Sequence, residues 1–99
     1  MINLIKPIEV NMGTIICRNE NIDDADLDGE KVMMDLDKGQ YFMMNEVGSR
    51  IWELTTDNTV IKEIVQALLK EYEVEENECE ETVIKFIKQL YEANLVKVK

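Results

Sequence analysis

Carboxylates are the abundant side chains here that could do chemistry: 21 Asp and Glu stand against 11 Lys and Arg, and His is absent. Without imidazole there is no Ser/His or Cys/His nucleophile pair, no His-mediated acid–base step and no basis for most transition-metal sites. A self-contained enzyme is not expected, nor is a bound cofactor. Cys17 and Cys79 lie far apart and form no C-x-x-C motif. A secreted domain of this size usually carries more cysteines, so both read as free thiols of a reducing cytosol.

Two carboxylate groupings need weighing. Asp24-Ala25-Asp26-Leu27-Asp28-Gly29 matches the first six positions of an EF-hand loop, with Asp35 at the twelfth. Asp replaces the bidentate Glu there, Lys31 occupies the apolar eighth position, and Val32 to Leu36 alternates like a strand. The segment therefore reads as an acidic loop with an Asp-Gly turn, and no metal site is expected. Glu71, Glu73, Glu75, Glu76, Glu78, Glu80 and Glu81 straddle a helix start, where negative charge complements the helix dipole. No apolar frame surrounds them to shape an acid–base pocket.

The net charge of −10 opposes any partner held through phosphates, so nucleic acid is not expected. The start, Met1 to Val10, is interrupted by Lys6 and Pro7 and lacks the apolar core of a signal peptide. No run approaches the ~18 apolar residues of a membrane span. The expectation is a cytoplasmic protein without a membrane partner. Its 99 residues suit one domain spanning 1–99.

Short apolar runs come first and helical periodicity after Asn45. Thr14–Cys17 is a β-branched strand, and Asn19–Gly29 an acidic excursion with some extended structure near Ile22–Ala25. Lys31–Leu36 alternates, placing Val32, Met34 and Leu36 on one face. Asp37-Lys38-Gly39 turns the chain and Gln40–Met44 returns beside it. Asn45 caps a first helix carrying Val47, Ile51, Trp52 and Leu54, with Trp52 in the core. Asp57-Asn58-Thr59 turns and caps a second, with its stripe of Val60, Ile61, Ile64, Val65, Leu68, Leu69 and Tyr72. A third helix runs from about Glu76 to Ala93, with Asn94 left-handed behind it and an extended tail at Leu95–Val98. This order predicts an α+β fold: a small three-stranded antiparallel sheet followed by three helices, like a winged helix-turn-helix.

Two apolar surpluses remain. Tyr41 to Met44 fills both faces of a strand; Phe42 and Met44 can join Val32, Met34 and Leu36 in the core, leaving Tyr41 and Met43 uncovered on a strand that ends the meander. Helix three has one stripe in Cys79, Val83, Phe86 and Leu90 and a second in Ile84, Ile87 and Tyr91, bordered by Lys88 and enclosing Glu80. An open strand edge beside a spare helix stripe describes a strand-addition groove, and Met43 and Met44 suit varied ligands. A third helix buried on two sides, or paired in a dimer, fits the same pattern.

The strings Asp28-Gly29-Glu30, Val32 to Leu36, Gly39-Gln40-Tyr41-Phe42, Asn45 to Leu54, Thr59, Ile64-Val65, Leu68-Leu69 and Ala93 to Val96 resemble the PqqD-like family over about residues 26–96. Asn94 stands where the family usually has Gly. The resemblance implies a RiPP recognition element: a non-enzymatic domain that binds the leader segment of a ribosomal precursor peptide by strand addition and delivers it to a modifying enzyme. It implies peptide contacts from Gln40, Tyr41, Phe42, Met43 and Met44 on the third strand and from Glu80, Val83, Ile84, Ile87, Lys88 and Tyr91 on the third helix. Among family members, the chain looks most like the partner of a lasso-peptide leader peptidase, working with that peptidase or a cyclase. The alternative is a partner of a radical-SAM enzyme and, outside the family, a winged-helix DNA-binding regulator.

Overall fold

The structure, a computed structural model, describes residues 9–99; the segment containing Lys6 and Pro7 lies outside them. Among the described residues, six strands and three helices follow in chain order: β1 (Ile15–Arg18), β2 (Ile22–Leu27), β3 (Glu30–Asp35), β4 (Gln40–Met43), α1 (Glu46–Leu54), β5 (Thr59–Val60), α2 (Ile61–Glu71), α3 (Glu76–Glu92) and β6 (Val96–Val98).

The strands form two antiparallel three-stranded sheets, ordered β2-β3-β4 and β5-β1-β6. The expected sheet is the first, and its third member is the acidic segment Ile22–Leu27. The strand near Thr14–Cys17 belongs to the second sheet, with the C-terminal tail and a two-residue strand at Thr59–Val60. Thr59 is therefore a sheet residue rather than the helix cap, and α2 starts after Val60, whose N–H reaches Glu63 Oε1 at 3.2 Å.

Local chemistry explains the β2-β3-β4 meander. Asp28 and Gly29 both have positive φ, as a two-residue type I′ hairpin requires, and Leu27 pairs with Glu30 across it. The second turn is held by Asp35, whose Oδ1 accepts from the N–H groups of Asp37 (3.0 Å) and Lys38 (3.1 Å). These hairpins use the carboxylates that resembled a calcium loop. Asp24 accepts from the Trp52 indole at 2.8 Å and pairs with Arg18 at 3.3 Å, and Asp26 pairs with Lys31. Among the described residues no cluster of three or more His, Cys, Asp or Glu side chains could hold a metal.

The β3 face assignment is corrected. Met33 is the fully buried residue, while Val32 and Met34 are half-buried and Leu36 is exposed. Register gives the reason: Met33 lies opposite the inward Phe42, while Val32 and Met34 lie opposite the exposed Met43 and Tyr41. Lys31 and Asp35 share the inner face with Met33 and obscure it in the sequence, yet one pairs with Asp26 and the other holds the turn.

Trp52, Ile51, Met33, Ile61, Ile64, Val65, Val83, Ile87, Leu90 and Leu95 form the centre of the core. Arg18 lies over the Trp52 ring at 4.4 Å and donates to the carbonyls of Trp52 and Thr55, tying β1 to α1. At the end of α3, Asn94 is left-handed; its N–H bonds to the Tyr91 carbonyl and that of Leu95 to the Leu90 carbonyl. This is a Schellman ending, in which Asn serves where Gly is usual.

Candidate functional site

The site begins at the free side of β4. Its register with β3 and the Met44 N–H to Lys31 carbonyl bond (2.9 Å) turn the main-chain groups of Gln40, Phe42 and Met44 toward β3. Those of Tyr41 and Met43 therefore point outward, from residues that are 73% and 67% exposed. The other edge of this sheet, β2, carries Asp23, Asp24 and Asp26. Charge of this kind discourages a further strand, and Gln-Tyr-Phe-Met on β4 has none.

The chain leaves β4 straight into α1 through a short polar clasp. Asn45 Oδ1 accepts the Gly48 N–H at 2.8 Å, the cap expected from the sequence. The buried Ser49 hydroxyl accepts the Lys31 N–H at 2.7 Å and donates to the Met44 carbonyl at 3.3 Å. Three hydrogen bonds thus join the strand end, β3 and the helix start. Gly48 faces α3 so closely that a Cβ there would lie 2.9 Å from the Phe86 ring.

Between β4, α1 and α3 lies a cleft of about 590 Å³. Phe42 and Met43 line it from the strand and Met44 just after it, Val47, Gly48 and Ile51 from α1, and Thr82, Phe86, Gln89 and Leu90 from α3, with Ala93 and Leu95 beyond the helix end. Its walls are mostly apolar and it opens beside the free edge. Among the described residues it holds no arrangement of nucleophile, base and orienting group.

The strand half of the expected site thus lies together: Phe42, Met43 and Met44 line the cleft, and Gln40 and Tyr41 continue the same edge. Of the helix residues expected in the site, Glu80, Val83, Ile84, Ile87, Lys88 and Tyr91, none lines this cleft. Val83 and Ile87 are fully buried in the core. Glu80, Ile84 and Lys88 do not line the cleft, and Tyr91 borders a separate depression with Asn19, Val96 and Val98. At ~100° per residue, Phe86 and Ile84 flank Val83 on opposite sides. The apolar arc of α3 spans both flanks, and only the tertiary arrangement of β4 and α1 determines which borders the cleft. The residues that line the cleft from this side are Thr82, Phe86, Gln89 and, at the helix C-cap, Ala93, spaced i, i+4, i+7, i+11; three of them are small or polar, so hydrophobic periodicity passes over them.

Fold and site define a small α+β domain with an uncharged open sheet edge beside an apolar, helix-walled cleft. The chain belongs to the PqqD family: the family described as Coenzyme PQQ synthesis protein D matches residues 30–96. No curated protein matches it. Among solved structures it is similar to TbiB1 in complex with the TbiA(β) leader peptide, at 32% identity and a TM-score of 0.77, over 82% of this chain and 94% of that one. It shares its fold with a lasso peptide synthetase B1 complexed with its leader peptide, at 24% identity and a TM-score of 0.75, over 83% and 96% of the two chains.

Proposed function

We propose that this chain is a non-enzymatic RiPP recognition element. The leader segment of a ribosomal precursor peptide adds as a strand to β4, bonding to the outward main-chain groups of Tyr41 and Met43. Its inward side chains enter the cleft against Phe42, Val47 and Phe86. The observation that carries this reading is the pairing of an uncharged edge strand with an apolar cleft on its open side. Two solved relatives of the same fold are complexes with leader peptides, which supports it.

The bound precursor would then be handed to a maturation enzyme. A lasso-peptide leader peptidase is the partner we favour, because the similar structures include a lasso peptide synthetase B1; a radical-SAM enzyme is the alternative within the family. The winged-helix-like order of the helices carries no DNA-binding role in this reading. The exposed positions of α3 include Glu76, Glu78, Glu81 and Glu92, which repel a phosphate backbone.

Titrating the leader segment of the precursor encoded beside this chain tests the proposal, using two proline variants. Met43→Pro removes an outward N–H and is expected to weaken leader binding while sparing the melting temperature. Phe42→Pro removes an N–H used by β3 and is expected to destabilise the fold. Equal behaviour of the two variants, or no binding of the leader by the unmodified chain, would contradict strand addition.

A further inference from the structure

We propose that the peptide held along β4 continues past Asn45 and seats one aliphatic side chain in a second cavity, at the N-terminal part of α3. This rests on the leader-binding reading above and adds a specificity subsite to it. The cavity, of about 260 Å³, is walled by Val47, Tyr72, Val74, Cys79 and Thr82, with Glu73 exposed beside them.

Continuity assigns the occupant. Val47 and Thr82 line both this cavity and the β4 cleft, so one apolar surface runs from the strand edge to the connection between α2 and α3. Met43, Val47 and Val74 remain exposed along that path, Val47 and Val74 at 37% each. A peptide extended along β4 that leaves at its Met44 end meets Val47 first and this cavity next. The core closes behind Cys79, which is buried, and burial also keeps its thiol above the usual range, so that wall is uncharged at neutral pH. The chemistry admits Leu, Ile, Val or Met and rejects Asp or Glu, which would lose hydration and meet only the like charge of Glu73.

The test crosses one protein substitution with peptide truncation. Val74 is partly exposed in a connection, so Val74→Asn is expected to keep the melting temperature. The probe is whichever candidate leader peptide from the same operon binds the unmodified chain, synthesised whole and shortened from either end. One truncation, which removes the residues beyond Asn45, is expected to weaken binding to the unmodified chain about tenfold. Val74→Asn is expected to weaken the whole leader by a similar factor and to bind that truncated peptide no worse than the unmodified chain does. If the whole leader binds both proteins equally, or the losses from substitution and truncation multiply, the second subsite is wrong while the β4 site stands. If no peptide binds the unmodified chain, both proposals fall. A melting temperature lowered by Val74→Asn would make Val74 structural and would also overturn the subsite.

Discussion

Gly48 sets how near α1 comes to α3, because any Cβ there meets the Phe86 ring. Gly48→Ala gains up to about 1 kcal/mol of helix propensity but must push that ring toward the cleft. We expect little change in melting temperature together with weaker leader binding, read by thermal melt and titration on the same samples. Phe86 and its neighbour Ile87 make a second contrast. Ile87 is fully buried, and Ile87→Ala should cost about 2–5 kcal/mol, a large share of a small domain's stability. Phe86 is half-buried at the cleft, so Phe86→Ala should lose less stability and more leader affinity. Denaturant melts and titrations of the two variants check the assignment; the reverse order would place the binding face on the other side of α3.

Among the helices, Arg50 ties α1 to α2 through two bonds to Glu71, each 2.7 Å. That pairing holds the Glu71 carboxyl below its ordinary range. A carboxyl lowered by folding contributes stability that is present above its unfolded pKa and lost as pH falls through its folded pKa. Glu71→Gln should therefore lower the melting temperature at neutral pH, with the difference fading in acid and shrinking at high salt. Melts across pH and salt measure it. The helices themselves were legible because their stripes are long and their caps, Asn45 and Asn94, are chemically explicit. The β2-β3-β4 turns were equally plain in Asp28-Gly29 and Gly39. The inner face of β3 was not, because Lys31 and Asp35 flank Met33, and only the folded hairpins pair one with Asp26 and give the other the N–H groups of Asp37 and Lys38. The cleft-facing side of α3 was hidden for a related reason: the helix is apolar over a wide arc, and the row that faces the cleft contains Thr82, Gln89 and, at its end, Ala93.

At the scale of the whole molecule, the two edges of the β2-β3-β4 sheet are chemically opposite. Aspartates stand along β2, while β4 presents Gln, Tyr, Phe and Met next to a cleft. The second sheet and the core hold α3 behind that cleft, and the Asn45–Ser49 clasp fixes the edge strand to α1. In the proposed complex the leader becomes the next strand of this sheet. Amide hydrogen exchange at Tyr41, Phe42 and Met43, measured with and without the precursor leader, distinguishes an added strand from any other mode of binding. Phe42 is expected to be protected in both states, and Tyr41 and Met43 to become protected only when the leader is bound. A leader that binds while Tyr41 and Met43 continue to exchange freely would contradict strand addition at β4.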